Sequence, residues 1–352
     1  MKWNIYIIIS LISLINISKC EEEDISKLSR YELLLKLGVS KEDALKFLSK
    51  TPYEEFFIDE KWVSNNPLDE SKLTEKNANW MSRVPDSMNI EKLSIPGTHD
   101  TATYSFKGLY FLVADIIDFF ARTQRWDLTE QMKAGIRYFD LRPSSNGYIY
   151  HGPIKTKTTF AAFWDELRQY MKLYPTEGFI VRIQYSHKPL LCEENCFQKE
   201  VIEVLNKNDD IILSQKNIPT MAQLRGKAFI MNNFDYKDAF IWNGDHFVLQ
   251  DFYDLKGRFR EQIDKKKSLV KKYMYDSETD DSLYINHCSA TGVKMLRSIK
   301  RIANEINSVP YLEEKPFSGT IVFDYPSEEL VNRVIRQNNR YFNKNVKFLE
   351  SN

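Results

Sequence analysis

Cysteine, histidine, glycine and proline are all scarce in this chain. Of 352 residues, four are Cys, five His, twelve Gly and twelve Pro. Four cysteines cannot staple a scaffold of this length, and no glycine-rich phosphate loop follows the first apolar run. Neither sign of charge is in excess: 49 Lys and Arg stand against 49 Asp and Glu. Such a balance produces no global field toward nucleic acid, so no nucleic-acid partner is expected. Long apolar runs are absent except for Ile5–Ile17, which is shorter than the ~20 residues of a membrane-spanning helix. Asn-x-Ser/Thr sequons are missing beyond that run. What is plentiful is apolar and aromatic side chain, at 43% and 13%, enough to fill a sizeable core.

The first twenty residues read as a cleaved secretory signal. Lys2 precedes the run Ile5–Ile17, and Ser18-Lys19-Cys20 leads into the acidic Glu21-Glu22-Glu23-Asp24. An uncleaved anchor is the competing reading. A lipid-modified Cys20 is disfavoured because Lys19 stands where a small residue is wanted. Export predicts a secreted protein that works peripherally on membranes. Cys192 and Cys196 could then close a small disulfide loop, leaving Cys288 over. A zinc site lacks a second ligand pair.

Residues 21–79 form a charged helical extension. Tyr31–Leu37 has helical texture and stops at Gly38, and Ser40 caps a second short helix with Asp43 three residues on. The extension carries no visible chemistry, and a docking or spacer role is expected. From Trp80 the texture changes to short apolar runs: Leu93–Ile95, Ile136–Leu141, Phe179–Ile183, Ala228–Met231, Phe247–Leu249, Leu283–Ile285 and Thr320–Phe323. Amphipathic segments separate several of them; one places Phe160, Phe163, Trp164, Leu167, Tyr170, Met171 and Tyr174 on one helical face. This predicts an α/β chain, a distorted TIM (β/α) barrel over residues 80–345. A doubly wound sheet is the alternative, and the missing glycine-rich loop speaks against it.

In a barrel, functional side chains gather at the C-terminal strand ends. Polar residues stand at those ends here: His99 and Asp100, Arg142, His151, Asp251 and Asp324. Imidazole titrates near neutral pH, so two histidines can serve as base and acid. Carboxylates such as Asp100 and Asp324 can fix their tautomers. The planar fork of Arg142 suits phosphate oxygens. Taken singly, a strand-end acid is often a helix cap and a lone histidine is usually structural.

Several motifs, in order, resemble the catalytic X domain of the phosphatidylinositol-specific phospholipases C. They are Trp80-Met-Ser-Arg-Val-Pro-Asp86 with Leu93-Ser-Ile-Pro-Gly-Thr-His-Asp100, then Thr123-Gln124, Gln131-Met132, Gly135-Ile-Arg-Tyr-Phe-Asp-Leu-Arg142 and Tyr150-His-Gly-Pro153. Weaker likenesses are Gln250-Asp-Phe-Tyr253, Leu283-Tyr-Ile-Asn286 and Thr320-Ile-Val-Phe-Asp-Tyr325; the resemblance spans roughly residues 78–342. It implies cleavage of phosphatidylinositol or a related inositol phospholipid to diacylglycerol and inositol 1,2-cyclic phosphate. His99 would be the base, oriented by Asp324. His151 with Asp100 would be the acid, and Arg142 would stabilise the phosphorane. Asp251 and Tyr253 match residues that touch or stack on the inositol ring.

Calcium-dependent relatives carry a carboxylate ligand at the site of Arg142. An arginine there implies the metal-independent bacterial type, with no metal and no cofactor. Asp140 remains, without obvious acidic company. Where that type has a lysine and an arginine, this chain offers Arg182 with Gln184 and Asn232 with Asn233, so Gln184 and Asn233 are candidate head-group contacts. Cleavage of glycosylated inositol anchors is the alternative activity, and a weakly active lipid-binding protein is the non-enzymatic one. Leu109–Phe120 is apolar and is read equally as a membrane-contacting rim helix or as a packed barrel helix. Phe240-Ile-Trp242 is a second candidate rim contact, and Lys265-Lys-Lys267 with Lys271-Lys272 is expected to be a solvated helix face.

Overall fold

The computed structural model describes residues 29–49, 73–106, 114–184, 194–241, 246–308 and 315–342. The signal segment, Cys192, Phe111 and Trp242 lie outside these residues, so the expectations resting on them are not addressed by the fold. Among the described residues, no helix is long and apolar enough to cross a membrane.

The N-terminal extension begins as two helices, α1 (Arg30–Lys36) and α2 (Lys41–Ser49). Ser29 and Glu32 cap α1 reciprocally, and Gly38 ends it with φ 86. Ser40 Oγ accepts the Asp43 amide at 3.1 Å, as the sequence predicts. Then come β1 (Ser94–Thr98), α3 (Ala114–Phe120), α4 (Leu128–Ala134), β2 (Tyr138–Leu141), a hairpin of β3 (Tyr148–His151) and β4 (Ile154–Thr159), α5 (Phe160–Leu173) and β5 (Phe179–Ile183). The remainder is α6 (Glu194–Lys207), β6 (Ile212–Leu213), α7 (Met221–Leu224), β7 (Ala228–Asn232), β8 (Phe240–Ile241), β9 (Phe247–Gln250), α8 (Phe259–Asp276), β10 (Leu283–His287), α9 (Ile299–Asn307), β11 (Gly319–Phe323) and α10 (Glu328–Arg336).

All strands outside the β3–β4 hairpin run parallel in one curled sheet, ordered β6-β7-β5-β2-β1-β11-β10-β9. β6 and β8 share the outer edge of β7, pairing with its beginning and its end. Apart from the two short edge strands on β7, β6 and β8, the parallel strands follow chain order around the sheet, as in a (β/α) barrel. No backbone ladder joins β8 to β9 among the described residues; the Phe240 and Phe247 rings meet there instead, 6.1 Å apart. The expected distorted barrel is thus present, its wall a curled half-barrel with one gap bridged by side chains. Phe240 is buried in that contact, contrary to its reading as a rim residue.

Strands buried on both faces need helices outside. The predicted apolar face of α5 supplies one, with Phe160, Phe163, Trp164, Leu167, Tyr170 and Met171 all buried. Phe163 packs edge-on against Phe139 of β2. Helix α4 opens with an Asp127–Glu130 capping box and ends at Gly135, φ 111, where a side chain would collide with Ile335 and Asn77. At the barrel's N-terminal end, Arg137 and Glu177 form a fully buried ion pair at 2.7 Å. Arg137 also donates to the carbonyls of Met132, Ile136 and Ala78, and Glu177 accepts the Met81 amide. This pair ties the N-terminal end of the barrel to the segment leading in from the extension. Arg137→Met leaves Glu177 buried without a counter-charge and is expected to cost about 3–5 kcal/mol in urea unfolding. A loss below about 1 kcal/mol would show that the pair does not hold this end together.

Candidate active site

Side chains alternate across each strand, so one set of every other residue points into the barrel. In β2 and its continuation this set is Tyr138, Asp140 and Arg142; Phe139 faces α5. The register of β2 on β5 sets Asp140 beside Arg182. The register of β1 on β11 sets Thr98 beside Phe323, so His99 and Asp324 leave neighbouring strands at the same level. The His99 amide extends that ladder, donating to the Phe323 carbonyl at 3.0 Å.

The chain turns sharply after each of these two positions. Asp100 has φ 44 and Tyr325 has φ 47. Asp tolerates this left-handed conformation, whereas Tyr adopts it only under outside constraint. The Thr123-Gln124 motif provides that constraint. Thr123 accepts the Tyr325 amide on its carbonyl, and Gln124 Nε2 donates to the carbonyls of His99 and Phe323 at 2.7 and 3.0 Å.

His99 Nδ1–H donates to Asp324 Oδ1 at 2.9 Å, while Asp324 Oδ2 accepts the Ala290 amide. His151, the last residue of β3, donates Nδ1–H to the Ala121 carbonyl at 2.6 Å. Both tautomers are thereby set and both Nε2 atoms face inward. They meet at one carboxylate. Asp100 Oδ2 lies 3.2 Å from His99 Nε2 and 3.3 Å from His151 Nε2, and Asp100 Oδ1 lies 2.9 Å from Arg142 Nε. Arg142 Nη2 also reaches His99 Nε2 at 3.0 Å. The expected set of His99, Asp100, Arg142, His151 and Asp324 is thus assembled within one cluster, although Asp100 touches both imidazoles and not His151 alone.

Burial pulls the His99 pKa down, but the charges of Asp100 and Asp324 outweigh it and lift it to about 9. Burial also pulls His151 down; there Asp100 only partly offsets it, and the pKa stays below the usual 6.5. The two carboxylates thus favour the charged form of His99, whereas burial favours the neutral form of His151.

Asp140 does have acidic company, contrary to the sequence expectation: His99, Asp100 and Asp140 bring potential ligand atoms within 4.8 Å of one another. The carboxylates are nonetheless matched by guanidinium. Arg142 lies 2.9 Å from Asp100 and 3.7 Å from Asp140, and Arg182 lies 3.7 Å from Asp140. Burial would raise the Asp140 pKa, yet these arginines hold it well below the carboxylate range. Arg142 and Arg182 are thus fixed cations set against these two carboxylates.

The outer contacts are less concentrated. Asp251 is half-buried behind β9, and nearby His287, His99 and Arg182 offset burial to keep its pKa low. Tyr253 is 55% exposed at the mouth. Gln184 accepts from Arg182 Nη2 at 3.1 Å. Asn233 is exposed past the end of β7 and is not brought into the cluster; Asn232 is the buried member of that pair.

Two residues went unforeseen. The sequence-based strand at 283–285 in fact runs to His287, whose fully buried ring lies 5.7 Å from that of His99. Lys266 is wholly buried, donating to the Phe252 carbonyl at 2.8 Å and Gln250 Oε1 at 3.2 Å, so the lysine run is not a uniformly solvated face. Burial lowers its pKa to about 8. It pins the segment that carries Asp251 and Tyr253. A position-by-position count of the strand would have reached His287; nothing in the lysine run distinguishes Lys266.

The apolar segment before Thr123 is covered in its described part. Ile116, Ile117, Phe119 and Phe120 of α3 are buried against Leu33, Leu34, Val39, Ala44 and Phe47 of the α1–α2 pair. Phe47 meets the Phe119 and Phe120 rings at 5.6 and 5.7 Å. The packed-helix reading holds for these four residues, and the N-terminal extension does dock.

Fold and geometry define a (β/α) barrel with two histidines gathered on one aspartate at its C-terminal mouth. No family model matches the chain. It is 28% identical over 299 residues to the 1-phosphatidylinositol phosphodiesterase of Listeria monocytogenes, covering 78% of this chain and 88% of that one. The enzyme of the same name from Staphylococcus aureus is 22% identical, covering 76% and 96%. The solved phosphatidylinositol-specific phospholipase C of Listeria monocytogenes superposes with a TM-score of 0.65 at 26% identity, over 74% of this chain and 98% of that one. The chain is a homologue of the bacterial phosphatidylinositol-specific phospholipases C and shares their barrel.

The electrostatics predict that the His99 ring titrates near 9 by proton NMR of the imidazole. Asp324→Asn removes one of the two supporting charges, so the midpoint should fall by roughly one to three units. A wild-type midpoint at or below 6.5 would refute the assigned role of the carboxylates.

Proposed function

We propose that the chain cleaves phosphatidylinositol to diacylglycerol and inositol 1,2-cyclic phosphate. The observation that carries this reading is the convergence of His99, His151 and Arg142 on Asp100, in a homologue of the bacterial enzymes. In the proposed reaction, His99 Nε2 takes the proton of the inositol 2-hydroxyl while Asp324 holds the resulting imidazolium. The 2-oxygen bonds to phosphorus, the bond from phosphorus to the glycerol oxygen breaks, and His151 Nε2 protonates that departing oxygen. Arg142 offsets the charge that builds on the phosphoryl oxygens, a rigid fork in place of a metal ion. Water can then open the cyclic diester with the two imidazoles exchanging roles. Asp251, Gln184 and Tyr253 are the proposed head-group contacts; Asn233 stands at the rim.

The substrate is a bilayer lipid, so the protein works at a membrane surface as a peripheral enzyme, and the N-terminal signal pattern supports a surface outside the cell. The surrounding charges favour the proton on His99, whereas turnover needs it on His151. Asp100 touches both Nε2 atoms and provides a short path for that single proton.

Phosphatidylinositol vesicles in the presence of chelator should yield a cyclic phosphodiester by phosphorus NMR. Absence of that product rules out the lyase reaction, and rescue of a chelated enzyme by calcium rules out the metal-free one. His99→Ala and His151→Ala should each lower turnover by about 10²–10⁴-fold.

The one-proton state exists between the two histidine pKa values, whichever imidazole carries it. The pH profile of kcat/KM should therefore be bell-shaped. Its acid limb lies below 6.5, where His151 and His99 are both charged, and its alkaline limb lies near 9, where both are neutral. A profile still rising at pH 10 would contradict this assignment.

A further inference from the structure

Beneath the histidine pair lies an imidazole that the proposed acid–base chemistry does not use. His287 closes β10 on the inward face and is wholly buried. Its ring stands at 81° to that of His99. Burial pushes its pKa down to about 3, with Asp251 only partly opposing, so it stays neutral across the working range. Its Nδ1 lies 3.0 Å from Ser289 Oγ, and its Nε2 lies 3.4 Å from Arg182 Nη1. A guanidinium can only donate, so Nε2 presents its lone pair and Nδ1 carries the hydrogen.

Arg182 is almost fully buried in β5 and is surrounded by acceptors. Nη1 faces His287, Nη2 donates to Gln184 Oε1 at 3.1 Å, and Nε lies 3.7 Å from Asp140 Oδ1. The neutral partner matters to the charge balance of the floor. A carboxylate at 287 would cancel Arg182 and add a negative charge beneath His99, whose proton is already held tightly by two carboxylates. A hydrocarbon ring of the same shape would leave Nη1 without this acceptor and let the side chain swing.

We propose that His287 is a positioning residue for head-group recognition: as a hydrogen-bond acceptor it locks the Arg182 fork into the barrel floor, where Arg182 and Gln184 together meet the hydroxyls of a polyhydroxylated ring. The kinetic arm rests on the phosphodiesterase reading; the spectroscopic and binding arms do not. His287 acts on binding, which the ground state and the transition state share, and so should move KM more than kcat.

The test uses the full chain with His287→Phe, His287→Gln, Arg182→Leu and the Phe–Leu double variant. On phosphatidylinositol vesicles, His287→Phe should raise KM about tenfold with kcat within about threefold, the size of one hydrogen bond to a charged group. His287→Gln, whose amide oxygen can replace Nε2, should recover KM to within about threefold. Adding His287→Phe to Arg182→Leu should change KM no further, because the two act as one unit. Equal KM for the Phe and Gln variants, additivity in the double variant, or a loss confined to kcat would overturn the proposal. Nitrogen-15 NMR of the wild-type imidazoles gives an arm free of any variant's folding. His287 should show the neutral Nδ1–H tautomer from pH 5 to about 9; a protonated ring or the Nε2–H tautomer would overturn the proposal. Calorimetry with myo-inositol should show about tenfold weaker binding to His287→Phe than to wild type or His287→Gln, and equal binding would overturn it. Absence of cleavage by the wild type, with these two arms as expected, would refute the phosphodiesterase reading and leave the His287–Arg182 lock standing.

Discussion

Asp100 is the group on which the site depends. Its carboxylate is 3% exposed and stands within 3.3 Å of two imidazoles and within 2.9 Å of a guanidinium. An isolated charge would be too costly at such a depth, so its partners must arrive from three different strand ends with little freedom. The left-handed turn at Asp100 allows consecutive residues, His99 and Asp100, to present their side chains to the same space. The hydrogen bonds of Thr123 and Gln124 then fix the backbone at His99, before that turn, and at Phe323 on the neighbouring strand. The residues that hold the acid–base groups are therefore mostly uncharged and sit one layer outside them.

The same carboxylate makes the two histidines unequal. His99 has Asp324 as well as Asp100, whereas His151 has Asp100 and a neutral carbonyl from Ala121. One imidazole therefore rises to about 9 while the other falls below 6.5, although both lie in the same pocket. Below them, Asp140 stands between Arg142 and Arg182, and the neutral His287 completes the ring of contacts around Arg182. Around Asp140, charge thus stands in opposed pairs beneath the two histidines.

The barrel and the core of the site were legible because both follow local rules. Parallel strands buried on two faces write continuous apolar runs, and polar residues shortly after each run lie at the C-terminal strand ends: His99, Arg142, Asp251 and Asp324 were found in this way. The sharing of Asp100 was not legible, because it depends on the β3–β4 hairpin folding back over β1 and β2. Lys266 was missed for a related reason. Its acceptors, Gln250 Oε1 and the Phe252 carbonyl, lie on a strand end at least fourteen residues away, and a lysine among lysines carries no mark of which one turns inward. Asn232 and Asn233 part company at the end of β7, since a strand alternates at every residue and Asn232 takes the buried place.

The apolar stretch before Thr123 shows what sequence alone leaves open. Amphipathicity states that a helix face must be covered but not by what. In this chain the cover is the α1–α2 pair, whose Phe47 lies against Phe119 and Phe120. Helix α3 ends one residue before Ala121, whose amide closes the last turn on the Ile117 carbonyl and whose own carbonyl holds His151 Nδ1. The orientation of the proposed acid thus passes through a short helix of seven residues. So short a helix has little stability of its own and relies on the apolar contacts that clamp it. Among its described residues, the extension places no side chain in the His99–Asp100–His151 cluster. Its packing nonetheless bears on the position of the carbonyl that sets the His151 tautomer, which links an N-terminal segment without visible chemistry to the proton inventory of the site.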